Sequence, residues 1–147
     1  MRLIRSLWHR RRGQSLVEFA IAIPVAVFLL LSVVEVGRHF YTRATVRNAV
    51  QEAARFAITG QTLTDPATGT PLSRAESIKQ VLVDRAVQLN IPVSDIVLDP
   101  SNGGGPDELV RISLTYLYQF GGGMLPSFMP TTMPITVSTT VKNEPIF

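Results

Sequence analysis

Arg10-Arg11-Arg12-Gly13-Gln14-Ser15-Leu16-Val17-Glu18-Phe19, followed by an apolar run to Val34 and a helix-forming stretch to Ile58, decides the fold of this 147-residue chain. From Leu16 to Val34 there is no Lys, Arg or Asp, and the length matches the roughly 20 residues that a helix needs to cross hydrocarbon. Thirteen of these positions are Leu, Ile, Val or Phe. Each contributes roughly −0.3 to −0.6 kcal/mol at mid-membrane, about −4 to −8 kcal/mol in sum, against at most about 3 kcal/mol for one acid. The stretch therefore predicts a transmembrane helix. Arg2, Arg5, Arg10, Arg11 and Arg12 precede it, and short basic flanks stay in the cytoplasm, so the C-terminal part is expected to face outward.

Glu18 is the informative residue within the span. A carboxylate at the edge of an uncharged apolar run is a liability unless it reaches the headgroups or finds a partner. If the chain were cut after Gly13, Gln14 would carry a new ammonium four residues before Glu18, one helical turn away on the same face. Glu18 would then also lie near the positive end of the helix macrodipole. Cutting would create the partner that the acid lacks.

A basic leader, Gly13, then Gln14-Ser15-Leu16-Val17-Glu18-Phe19 and an apolar run resemble the prepilin processing motif of type IV pilins and pseudopilins. The wider pattern resembles the TadE-like pseudopilins of tight-adherence (Flp) pilus systems. It comprises Val17-Glu18-Phe19-Ala20, Pro24 inside the run, Glu35-Val36-Gly37-Arg38 after it, and Ala49 to Ala57 around Glu52-Ala53-Ala54-Arg55. The resemblance covers roughly the first sixty residues. It implies a substrate of a membrane-embedded prepilin peptidase that cuts between Gly13 and Gln14, with Arg10, Arg11 and Arg12 as basic leader and Glu18 and Phe19 as the assembly motif. It also implies major pilin, other pseudopilins and inner-membrane pilus assembly components as partners, beside membrane lipid. Phe19 stands where the family often has Tyr, and Gln14 would begin the mature chain where many type IV pilins have Phe or Met.

Three segments are expected: a leader over 1–13, a transmembrane and stalk helix over 14–58, and an outward head over 59–147. Pro24 removes an amide donor inside the span and tends to kink a helix, which membrane helices tolerate. Past the span, Val46, Ala49, Val50, Ala53 and Ala57 share one side of the helix, opposite Arg43, Arg47, Glu52 and Arg55. That small-residue face suits packing on the protein's own sheet or on neighbouring subunits. Gly60, Pro66, Gly69 and Pro71 then break any period, and Ser73 with Glu76 forms a capping box for a second helix. Ile78, Val81, Leu82, Ala86 and Leu89 are its apolar face, and Asn90 with Pro92 ends it.

Three strands follow. Val93 to Asp99 is short, Leu109 to Phe120 alternates with Val110, Ile112, Leu114, Tyr116, Tyr118 and Phe120 on one face, and Ile135, Val137, Thr139 and Val141 repeat the pattern. The fold class is α+β: a long N-terminal helix and a small head in which a second helix covers an antiparallel sheet of about three strands. The connection from Gly121 to Pro134 holds Met124, Leu125, Phe128 and Met129 among Gly and Pro, as a loop over the sheet, an exposed contact loop or a membrane-proximal flap.

Composition narrows the function classes. The net charge is +3, but much of the basic excess sits beside the span, where anionic lipid attracts each Arg by about 1 kcal/mol. No nucleic-acid partner is expected. The chain has no cysteine, hence no disulfide and no thiolate metal site. His9 and His39 lack a nucleophile or carboxylate at useful spacing, the triplets Gly103–Gly105 and Gly121–Gly123 lack a phosphate loop's Lys-Ser/Thr, and Asp65, Asp95, Asp99, Asp107 and Glu108 have no metal-ligand spacing. No catalytic residue, metal or cofactor is expected, and the chain is read as a non-enzyme. The competing class is an unprocessed single-pass membrane scaffold or binding protein with an extracytoplasmic domain. A secreted domain would need a small-x-small site after Val34, where Glu35 and Val36 stand.

Overall fold

The computed structural model describes residues 3–123 and 131–145, with side chains described over 13–121 and 131–145. Met124, Leu125, Phe128 and Met129, placed in the apolar connection, lie outside the described residues. The chain divides into two compact units, Met1–Arg38 and His39–Phe147.

The first unit is helical throughout its described residues. Helix α1 runs Leu3–Ile58, through Pro24, and therefore starts well inside the leader rather than at Gln14. Nothing between Leu3 and Gly13 stops it: Leu and Arg are good helix formers, and a single glycine costs only about 1 kcal/mol relative to alanine. Over Gly13–Ile58 the most apolar window has a mean hydropathy of 2.6 and is wholly unburied. Leu16, Leu30 and Val33 are each about 70% exposed, as expected of side chains whose solvent is lipid. Ser32 Oγ donates to the Phe28 carbonyl at 2.8 Å, so the hydroxyl in the C-terminal half of the apolar run is satisfied within the helix.

The second unit packs the rest of α1 with a second helix on a three-stranded sheet. Val46, Ala49, Val50, Ala53 and Ala57 are all buried, so the small-residue face of α1 belongs to its own core. Helix α2 spans Arg74–Arg85, and its capping box is complete: Ser73 Oγ accepts from the Glu76 N–H, and the Glu76 carboxylate accepts from the Ser73 N–H at 3.0 Å. Ile78 and Leu82 are fully buried, and Ser77 beside them is satisfied by donating to the Ser73 carbonyl and accepting from the Leu63 N–H.

Strands β1 (Ile96–Asp99), β2 (Leu109–Gln119) and β3 (Thr132–Lys142) form an antiparallel sheet in that order, β2 central. Ile112 pairs with Leu98 on one side and Thr139 on the other. Val110, Ile112, Leu114 and Tyr118 are buried while Leu109, Arg111, Thr115 and Leu117 are exposed, the alternation that a one-sided sheet requires.

Four boundaries differ from the sequence reading. Helix α2 stops at Arg85, and Val87–Leu89 form a 3₁₀ turn closed by Asn90 at φ 51°, which lets the chain reverse and bury Ile91. Val93–Asp95 are a 3₁₀ turn rather than strand, because Pro92 pre-sets its entry and its carbonyl accepts from the Asp95 N–H at 3.0 Å. Phe120 leaves the ladder to open a 3₁₀ turn, Phe120–Gly123. Finally, β3 takes in Thr132, Met133 and Pro134, which the sequence pattern leaves in the connection. Pro134 is admissible there because β3 is an edge strand and no ladder bond is lost on its open side.

Candidate functional site

The residues singled out at the N-terminus fall on one short stretch of α1. The backbone of Arg10, Arg11 and Arg12 is helical, and their side chains lie outside the described residues. Gly13 is exposed, and a Cβ there would meet open space. Neither packing nor a special φ therefore accounts for glycine at this position. Gln14 and Glu18 do meet: Gln14 Nε2 donates to Glu18 Oε1 at 3.1 Å across one helical turn. The carboxylate has a neutral local donor in the uncut chain, and the backbone nitrogen of Gln14 sits on the same turn. Phe19 is exposed at 63% on the apolar surface.

Beyond Glu18 the same side of the helix is a shallow open trough. Ala22 and Ala26 follow Glu18 at intervals of four, and Ile21, Val25 and Leu29 complete its walls. Small side chains one and two turns from a carboxylate permit another helix to approach closely and bring its own donor to the acid. Just past the apolar run, Arg38 pairs with Glu35 at 3.6 Å, an i,i+3 contact that neutralises both charges locally.

The glycine triplet of the β1–β2 loop and its neighbours make architectural contacts. Gly103 and Gly104 have φ of 84° and 71°, and a Cβ on Gly104 would lie 2.5 Å from Val110 Cγ2 and 2.9 Å from Asn143 Nδ2. The triplet thus lets the β1–β2 loop pass against the sheet. Asn143, buried, bonds the Gly105 carbonyl at 2.8 Å. Arg74 ties three segments together, its Nη2 donating to the Ala57 carbonyl at 2.6 Å and its Nε to Gly103 at 2.9 Å, while burial pushes its guanidinium pKa down from the usual value.

The acids are dispersed. Asp65 closes its own turn by accepting from Ala67 N–H and Thr68 Oγ1, bonds that hold its carboxyl below the usual range; Asp107 pairs with Lys142 at 2.6 Å; Glu108 accepts from the Gly105 N–H. Among the described residues no group of three or more His, Asp or Glu could hold a metal ion.

His39 is the residue whose surroundings sequence reasoning missed. Its ring lies edge-on to Tyr118 at 5.0 Å and stacked on Phe120 at 6.0 Å, with Nδ1 buried and unbonded. The signal was the run of alternate aromatics, Tyr116, Tyr118 and Phe120, which needed a cap at the end of the sheet.

Fold and site together define a protein with one N-terminal helix long and apolar enough to cross a membrane, carrying a small α+β unit. The family model described as TadE-like protein matches residues 13–55, from the glycine before Gln14 to the buried small-residue face of α1. That segment is TadE-like, as its motifs indicated, and points to the tight-adherence pilus system. No curated protein and no solved structure matches the chain.

Proposed function

We propose that this chain is a pilin-like assembly subunit, made as a membrane-bound precursor and cut by prepilin peptidase between Gly13 and Gln14. The observation that carries the reading is the Gln14–Glu18 contact at the head of an unburied apolar helix, preceded by a glycine that the fold does not otherwise need. Cleavage converts the Gln14 nitrogen into an ammonium within one turn of Glu18, and the acid can pair with this amine or with that of a neighbouring subunit. A charge-assisted bond of this kind is roughly twice as strong as a neutral one, so it displaces the amide contact of the precursor.

The chain resides in the bacterial inner membrane, leader inside and C-terminal unit outside. The helix stores the subunit there, and the Glu18–Ala22–Ala26 trough then receives the helix of major pilin or another pseudopilin. The C-terminal unit meets inner-membrane assembly components. Its role is structural, not catalytic.

The test is the intact mass and N-terminal sequence of the membrane-purified protein from cells with and without prepilin peptidase. A chain beginning at Gln14 only when the peptidase is present is the expected result. A chain beginning at Met1 in both strains would overturn it and favour the unprocessed membrane scaffold.

A further inference from the structure

Contacts along α1 form a ruler within the His39–Phe147 unit. Ile58 accepts from the Glu144 N–H at 3.2 Å, Glu52 pairs with Arg85 at 3.0 Å, and Tyr41 Oη donates to Gln88 at 3.0 Å. His39 packs on Tyr118. One end of the unit is thereby fixed at Ile58 and the other at His39–Tyr41.

The two ends differ in chemistry. The Ile58 end gathers Asp107, Glu108, Lys142 and Glu144 around the exposed Leu109, joined by the Asp107–Lys142 pair and by the hydrogen bonds of Asn143 and Glu144 N–H groups to Glu108 and Ile58. At the His39 end, Phe40 is 62% exposed, Tyr41 61%, and Val87, next to the Tyr41 partner Gln88, 66%. Met133, opposite Tyr118, and Leu117, one residue before it, are also exposed. Five such groups, two of them aromatic, thus lie at the end of the unit that begins the chain's exit toward the apolar run, and an apolar cluster of this kind marks an interaction surface.

We propose that this end of the unit, ringed by Phe40, Tyr41, Val87, Leu117 and Met133, is an interfacial collar that rests in the headgroup layer of the membrane. The inference relies on reading Leu16–Val34 as a membrane span. Chain continuity then limits the distance: Tyr41 is seven residues beyond Val34, at most about 25 Å even if the link were fully extended at ~3.5 Å per residue. The headgroup layer is roughly 5–8 Å deep on each side of the hydrocarbon. Phe40 and Tyr41 are the exposed rings of the unit nearest the span in sequence, so that layer lies within their reach. Aromatic rings with one polar tip favour that zone, and Arg43, exposed two residues on, can extend its guanidinium to lipid phosphate. The collar thus holds the unit on the lipid surface.

Because the chain has no cysteine, the test is made with single-cysteine variants of the full chain, spin-labelled and reconstituted in phospholipid vesicles. Leu30→Cys reports the span, Val87→Cys the collar, and Leu109→Cys the opposite end. Collisions with oxygen and with a water-soluble nickel chelate are compared at each label. The expected result is a lipid-like ratio at 30, an aqueous ratio at 109, and a ratio at 87 several-fold above that at 109. A lipid-like 30 with 87 as aqueous as 109 overturns the collar alone. A label at 87 shielded from both reagents also overturns it, and indicates protein packed on that end. An aqueous label at 30 overturns the membrane span and with it the collar.

Discussion

At Gly13 and Glu18 the folded structure leaves unexplained what the proposed chemistry explains. A peptidase must open the helix at the bond it cuts, and glycine makes that opening easier by roughly 1 kcal/mol relative to alanine. Gly13→Ala meets no neighbour, so the variant should insert normally yet accumulate as uncut precursor, read as the ratio of the two masses on a gel of membranes. For Glu18, removal of the carboxylate should leave insertion intact, since the apolar run more than offsets it, and abolish assembly. Glu18→Ala cells should contain membrane-bound chain but no pili by electron microscopy, and normal piliation would sink the pairing model. Both residues stood out in the sequence because each breaks a local rule: a glycine inside a helix and an acid inside an apolar run. The i,i+4 spacing that puts Gln14 and Glu18 on one face was legible too, but not that the Gln14 side chain already satisfies the acid in the uncut chain, because the sequence reading gives that role to the amine freed by cutting. The tethering role of Arg74 was not, because its partners, Ala57 and Gly103, are carbonyls distant in sequence.

Among the elements, α2 and the β1–β2 loop carry the stability arguments. Ser73→Ala removes the hydroxyl that caps α2 and should cost about 1 kcal/mol, seen as a lower urea midpoint by circular dichroism in detergent. The Ser73 hydroxyl, and then its N–H, hold the Glu76 carboxyl below its ordinary value. A depressed folded pKa means stability present above the unfolded value and lost as pH falls through the folded one. The protein should therefore weaken on acidification below the usual carboxylate range, and Ser73→Ala should weaken less over that interval. Gly104→Ala should be more damaging, about 1–3 kcal/mol, because its Cβ would strike Val110 and Asn143 at a positive φ. The capping box, the alternation of β2 and the small face of α1 were all readable from spacing. The 3₁₀ turns at Val87–Leu89 and Val93–Asp95 were not, since they arise where the chain must turn to bury Ile91 and Ile96, a requirement of the core rather than of local pattern.

For the whole molecule, the first thirteen residues set the charge. Residues 1–13 contain five arginines and no acid, whereas the full chain carries only +3. The precursor is basic, with an isoelectric point near 9.8, and a product beginning at Gln14 is net acidic. On the proposed processing, the positive flank that would hold the N-terminus in the cytoplasm is removed at cleavage, after the helix has inserted and is too apolar to reverse. Isoelectric focusing of detergent-solubilised membranes should show the protein at an acidic position in wild-type cells and at a basic one in cells without prepilin peptidase. Gly13→Ala should move it toward the basic position without altering membrane retention. A single basic species in every strain would mean that the arginines stay, that Glu18 keeps its neutral Gln14 partner, and that the protein serves as a permanent membrane anchor for its C-terminal unit.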